Sequence, residues 1–263
     1  MATQPRFTIV CDEVEKRFSE TSENAVSNVS LQLRRGASAA IVGPANCGKS
    51  TILRMIAGRL PVSQGNIQVL GCDPLRGARA LLRRVGWVPT NTCFPPGLFS
   101  GEVAKLARDL GQAGDAFAFA RICTALGLDP NTRADRLDAT TNQLLSLALA
   151  LQKSPEILLI DDAPEGGGDP PSYFRYLDAL RGTNLTFLFA AQRLERVLPF
   201  CDIIYLMRDG QIVEEIDTKR GNWSEVRINA DALAPALPAP GEHAETDLIS
   251  LLGEAQPAKA NHK

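Results

Sequence analysis

The chain has 263 residues with 28 Lys and Arg against 30 Asp and Glu, a net charge of −2, and its pI near 5.8 offers no basic field for nucleic acid. No apolar run approaches the roughly 18 residues a membrane span needs, and the N-terminal residues lack the basic-then-apolar pattern of a secretory leader. Six scattered cysteines (Cys11, Cys47, Cys72, Cys93, Cys123 and Cys201) form no C-x-x-C pair, and the two histidines, His243 and His262, both lie near the C-terminal end, so a disulfide framework, a zinc site and a histidine base in the main body are all disfavoured.

Taken in order, residues 7–14 and 25–33 alternate apolar and polar and predict two strands of a small antiparallel lead-in. Residues 39–42 form a short apolar strand. The run Gly43-Pro44-Ala45-Asn46-Cys47-Gly48-Lys49-Ser50-Thr51 follows, and it fits G-x-x-x-x-G-K-[ST]. Ile52, Leu53, Ile56 and Leu60 then recur at helical spacing, so the motif sits between a strand and a helix. In that setting backbone N–H groups and the positive end of a helix dipole converge on a polyphosphate. Gly43 and Gly48 permit the close approach, Lys49 reaches the β/γ-phosphates, and the Ser50 hydroxyl ligates Mg²⁺. Cys47, so close to a helix N-terminus, is open to two readings: a thiol with lowered pKa and raised reactivity, or a small residue that fits.

Further along, residues 66–70 predict a strand, 75–84 a basic helix and 85–89 another strand, with a Pro-rich loop at 90–97. Residues 100–151 are helical in period, interrupted at Gly111, Gly114, Gly127 and Pro130. The apolar strand 156–160 ends in Asp161-Asp162, the acidic half expected of a phosphate-loop nucleotide site, where Asp161 holds the Mg²⁺ shell through its water or Ser50. A Gly- and Pro-rich connection covers 165–171. Helix 173–180, strand 185–190, helix 194–200 and strand 203–207 come next. Asp209-Gly210 signals a hairpin into strand 211–215, and 223–228 predicts one more. From residue 230 the chain is Ala- and Pro-rich and reads as a disordered tail, with one amphipathic piece at 247–252 that reads alternatively as a docking peptide. No internal repeat is present.

These pieces in this order resemble the nucleotide-binding domain of ATP-binding cassette (ABC) transporters. Besides the phosphate loop, the likeness rests on Ser63-Gln64-Gly65-Asn66-Ile67, Val85-Gly86-Trp87-Val88-Pro89 and Leu206-Met207-Arg208-Asp209-Gly210-Gln211-Ile212-Val213. It implies an α/β fold: a P-loop NTPase core with a mainly parallel sheet, an N-terminal antiparallel β-subdomain and an inserted helical subdomain at about 91–151. The cassette would occupy 1–229 and the tail 230–263. It implies ATP and Mg²⁺ as cofactors. Phe18 would stack on adenine; Gly43, Asn46, Cys47, Gly48, Lys49, Ser50 and Thr51 would hold phosphates; Ser50 and Asp161 would hold the metal; Asp169 would belong to a loop that crosses a dimer. The implied partners are a second nucleotide-binding domain, identical or different, and a membrane permease contacted through the stretch 90–102, from Thr90 to Glu102. The implied location is cytoplasmic, on the inner face of the membrane.

Several positions depart from the family pattern. Its loop glutamine aligns with Thr90, its catalytic glutamate with Asp162 and its switch histidine with Gln192, and one extra residue separates Asp162 from Asp169. The Ser-Gly-Gly signature aligns with Leu137-Asp138-Ala139-Thr140-Thr141, while Ser100-Gly101-Glu102 is a decoy that falls in the loop before the helical subdomain. Asp162 and Gln192 are therefore the candidate catalytic residues. A carboxylate one methylene shorter than Glu, and an amide that carries no proton, imply slow hydrolysis. Two functions follow: an ATP-binding subunit of a transport complex, of exporter type, or a degenerate module that uses ATP as a structural ligand.

Overall fold

The computed structural model describes residues 6–18, 24–90, 92–110, 114–162 and 172–218. Strands β1 (Phe7–Arg17), β2 (Asn24–Arg34) and β4 (Gln64–Val69) form an antiparallel sheet in the order β2-β1-β4. A second sheet contains β3 (Ser38–Val42), β5 (Val85–Val88), β6 (Ile157–Asp161), β7 (Thr186–Ala191), β8 (Ile203–Arg208) and β9 (Gln211–Asp217), in the order β5-β6-β7-β3-β8-β9. Its first five strands in that order run parallel, and β9 closes the edge antiparallel after the Asp209-Gly210 turn.

Both faces of this sheet are covered, which is why β3, β6 and β7 read as unbroken apolar runs rather than alternating ones. Ala40, Val42, Leu158, Ile160, Phe187 and Phe189 face α4 (Ala116–Leu126), α5 (Ala139–Leu151) and α6 (Ser172–Ala179). Ala39, Ile41, Leu159 and Leu188 face α1 (Lys49–Ile56) and the antiparallel sheet. Burial of so many complete aliphatic side chains supplies most of the stability.

Buried hydroxyls tie the two sheets together. Thr8 Oγ1 donates to Thr186 Oγ1 at 3.4 Å, Thr186 Oγ1 accepts from Gly36 N at 2.9 Å, and Tyr205 OH donates to the Gln32 carbonyl at 3.1 Å. The hairpin after β8 is tied to β2 by the Ser27 N–H, which donates to the Gly210 carbonyl at 2.8 Å.

The helix expected at 75–84 is only α2 (Ala78–Leu81). Asp73 Oδ1 instead accepts from the N–H groups of Leu75 and Arg76 in a turn, and Arg79 and Arg83 repel at helical spacing. Ser100 and Glu102 are not loop residues either: they lie in the first turn of α3 (Ser100–Asp109), where Glu102 Oε2 accepts from Phe99 N at 2.8 Å. The connection 165–171, the strand at 223–228 and the tail 230–263 lie outside the described residues.

Removing only the Tyr205 hydroxyl, as Tyr205→Phe, should cost about 1 kcal/mol, the net worth of one intramolecular hydrogen bond. Urea unfolding at constant m-value checks it.

Candidate nucleotide-phosphate site

The loop 43–48 joins β3 to α1 at the carboxyl ends of the parallel strands. It is pinned on two sides, because Gly43 N donates to the Ala191 carbonyl at 3.2 Å and the Cys47 carbonyl accepts from Gly210 N at 3.1 Å. Asn46 takes a left-handed φ of 62° and Gly48 one of 107°. A Cβ at Gly43 would run into the Met207 carbonyl, and one at Gly48 into the Ala25 carbonyl. The glycines are thus required by contacts behind the loop, whatever lies in front of it.

Lys49 is buried at the first position of α1. Its Nζ donates to the carbonyls of Gly43 at 2.8 Å and Pro44 at 2.5 Å and lies 3.6 Å from Cys47 Sγ. The ammonium is folded into the concavity, held by dipoles. Ser50 Oγ donates to Asp161 Oδ1 at 2.7 Å. Asp161 is 2% exposed, and burial raises its pKa above the ordinary value, opposed by the Ser50 bond and then by Arg54 and Lys49. A desolvated carboxylate beside a hydroxyl is a hard-oxygen pair that gains from a divalent cation. The residues therefore fit Mg²⁺ and a polyphosphate: a glycine loop between strand and helix, a buried cation folded into it, and two oxygen donors at its base.

The structure also places the candidate catalytic residues. Asp162 follows β6 with φ 61°, its N–H donating to the Ala190 carbonyl at 3.1 Å. Gln192 is half-buried just past Ala191, the residue that accepts from Gly43 N. Both thus lie at the strand ends that carry the loop. Thr90 Oγ1 donates to the Asp161 carbonyl at 3.1 Å. Thr51 is half-buried in α1 and Asn46 is exposed at the loop crest. Phe18 lies past the end of β1, 39% exposed, with the Lys16 ammonium 5.3 Å from its ring centroid, whereas β2 residues Ala25 and Val26 pack against the loop at Gly48. Asp169 is outside the described residues.

Gln143 is a site residue that the sequence reading passes over. It is buried in α5, and its Nε2 donates to the carbonyls of Thr90 at 3.3 Å and Asp162 at 3.0 Å, joining the ends of β5 and β6. It follows Thr140, Thr141 and Asn142 in the polar first turns of the helix, so no local pattern signals it. At the start of the same helix, Asp138 is the N-cap: its carboxylate accepts from Thr141 N at 3.0 Å and Thr141 Oγ1 at 2.7 Å. These bonds, the hydroxyl first, hold its pKa below the ordinary value.

The reactive reading of Cys47 is corrected. The thiol is 5% exposed, and burial raises its pKa more than Lys49 lowers it. The residue packs against the Gly43 turn as a small apolar side chain. All six cysteines are free; Cys72 and Cys93 are the exposed ones.

Beside the site, a groove of about 670 Å³ lies between β5, the loop after it, α3 and α5. Arg54, Arg59 and Lys153 line it together with Trp87, and Arg59 covers the Trp87 ring at 5.5 Å. Lys153 Nζ donates to the Leu82 and Val85 carbonyls, and burial, then Arg59, lowers its pKa to about 8.

A β-strand, phosphate loop and helix with an acid at the end of a parallel strand two places away in the sheet define a P-loop nucleotide-binding fold. A family model described as "ABC transporter" matches residues 26–165. The chain is 30% identical over 219 residues to the probable multidrug ABC transporter ATP-binding protein YbhF of Escherichia coli K12, covering 80% of this chain and 38% of that protein. It is 30% identical over 224 residues to the methionine import ATP-binding protein MetN of Caulobacter vibrioides, covering 79% of this chain and 66% of that one. The chain thus spans less than two thirds of either relative. Two solved structures share the fold: cbiO1 from Clostridium perfringens, part of the ABC transporter complex cbiONQ (TM-score 0.69, 18% identity, 95% of this chain and 100% of that one), and the dimeric ATP-binding cassette MJ0796 bound to ADP and Pi (TM-score 0.70, 21% identity, 81% and 99%). The chain belongs to the ABC transporter family, as an ATP-binding cassette. No helix among the described residues is long and apolar enough to cross a membrane.

Two outcomes are expected. At neutral pH a thiol reagent should label Cys72 and Cys93 well before Cys47, whose rate should keep rising above pH 9; mass spectrometry of labelled peptides reads the order. Gln143→Leu should destabilise by about 2 kcal/mol, about 1 for each amide bond lost, in denaturant unfolding.

Proposed function

We propose that the chain is the ATP-binding subunit of a transport complex, coupling MgATP binding and slow hydrolysis to a separate membrane permease. The observation that carries this is the 2.7 Å bond from Ser50 to Asp161 beneath a loop whose lysine points inward. Ser50 and Asp161 would hold Mg²⁺, which when bound screens the phosphate charge. Lys49 and the loop N–H groups would hold the β/γ-phosphates. Phe18 would meet the base.

Slow hydrolysis is read from the residues beside that centre. Asp162 would orient the attacking water and accept its proton, but its carboxylate is set back by about 1 Å relative to Glu, a displacement that can cost about a hundredfold in rate. Gln192 can donate a hydrogen bond to a phosphate oxygen but cannot carry a proton. A second cassette would face the N-terminus of α5, where the lowered pKa keeps Asp138 ionised at neutral pH, so the partner's nucleotide meets a carboxylate and the Cβ atoms of Ala139 and Thr140. The permease would dock on the stretch from Thr90 to Glu102, which borders the groove. We read the direction as export, a reading that the multidrug YbhF likeness supports and that the equal likeness to the import protein MetN does not.

Titration calorimetry should show MgATP binding, weakened about tenfold to a hundredfold in Lys49→Ala, the worth of a charge-assisted hydrogen bond of about 1.5–3 kcal/mol. Steady-state turnover should be far below about 1 s⁻¹, the low end of ordinary enzymes, and should rise in Asp162→Glu combined with Gln192→His. Wild-type turnover above that level, lost in Lys49→Ala, would show that Asp162 and Gln192 sustain full hydrolysis.

A further inference from the structure

The groove beside β5 is unusual in its charge. Arg54, Arg59 and Lys153 line it, and no carboxylate does. None of the three forms an ion pair among the described residues. Its outer wall is apolar: Phe94, Leu106 and Leu110 line it, and Leu110 is 72% exposed. Exposed Arg54 and Arg59 and half-buried Lys153, set beside exposed leucines, gain from a ligand that is both acidic and apolar.

The chain carries a segment of that make-up. Residues 242–256 contain Glu242, Glu245, Asp247 and Glu254 and no lysine or arginine. Leu248, Ile249, Leu251 and Leu252 recur at helical spacing as one stripe, and at 100° per residue Asp247 and Glu254 both fall beside its Leu251 edge. The stripe and the acids match the leucine wall and the cationic floor.

The reach is sufficient. The groove lies at β5, one edge of the six-stranded sheet, and Thr218 follows β9 at the other edge. Five strand spacings of about 4.8 Å give about 24 Å across. Residues 219–241 intervene; fully extended they span up to about 80 Å, and as a flexible chain about 26 Å on average. A connection whose mean length matches the span gives the highest effective concentration.

We propose that the acidic amphipathic segment 242–254 docks in cis into this groove, with its leucines on Leu106 and Leu110 and its carboxylates on Arg59 and Lys153. The groove borders the stretch from Thr90 to Glu102. On the transport reading above, the docked segment therefore competes with the permease for one surface, and assembly requires its displacement. The docking itself does not depend on that reading.

Trp87 in the groove reports occupancy. The chain has two tryptophans, so Trp223→Phe leaves Trp87 as the sole emitter. In that background, ending the chain at Pro240 should raise the acrylamide quenching of Trp87 at least twofold. A synthetic peptide of residues 241–256 added to the shortened chain should restore protection, and peptides with Asp247→Lys and Glu254→Lys, or with Leu251→Asp and Leu252→Asp, should not. Equal quenching of the two chains, or no protection by the wild-type peptide, would overturn the proposal. So would protection of the full chain that grows with protein concentration, because the segment would then dock in trans. MgATP calorimetry on the same samples keeps the two readings apart: a shortened chain that binds nucleotide while the peptide does not protect Trp87 sinks the docking alone.

Discussion

The bond from Ser50 to Asp161 is the contact on which the rest of the site depends. It joins the first turn of the helix after the phosphate loop to the end of a strand two places away in the sheet. That meeting requires β6, β7 and β3 to run parallel and to end at one level, with Val42 opposite Ala191 and Asp161 opposite Ala190. Parallel strands in turn require cover on both faces, which α1 and the antiparallel sheet supply on one side and α4 to α6 on the other. A single oxygen pair thus samples the integrity of both cores.

Around it, polar groups do structural work that a description of the phosphate loop alone would miss. Gln143 holds the carbonyls of Thr90 and Asp162, so the helix that starts at Asp138 is clamped to the strand ends bearing the candidate metal ligand and base. Displacement of α5 would therefore be felt at Asp162, whose positive φ leaves little freedom of its own. The clamp gives a physical route between the helical subdomain and the site.

The site and the groove invert each other's electrostatics. At the loop, one buried carboxylate and one buried lysine are set close to backbone dipoles, an arrangement that would gain from a magnesium-bound polyanion. In the groove, three cations gather without an acid, and burial lowers the pKa of Lys153 to about 8. The first arrangement suits a small ionic ligand; the second, with its exposed leucines, suits a polypeptide.

The sequence by itself determined the order of strands and helices, the phosphate loop and its acidic counterpart, because these are local: a glycine pattern between an apolar run and a helical period, and an apolar run stopped by aspartates. It also pointed to the family, and the matched relatives agree. Only the tertiary structure decided matters set by burial and by distant neighbours. The thiol of Cys47 is pushed up rather than down because burial outweighs the lowering effect of Lys49, and burial cannot be read from a heptapeptide. The basic stretch at 75–84 became one short turn because Asp73 captured its backbone donors. Arg54, Arg59 and Lys153 share a groove, and Gln143 joins two strands, because the sheet order brings together segments far apart in the chain, a register that no local pattern encodes.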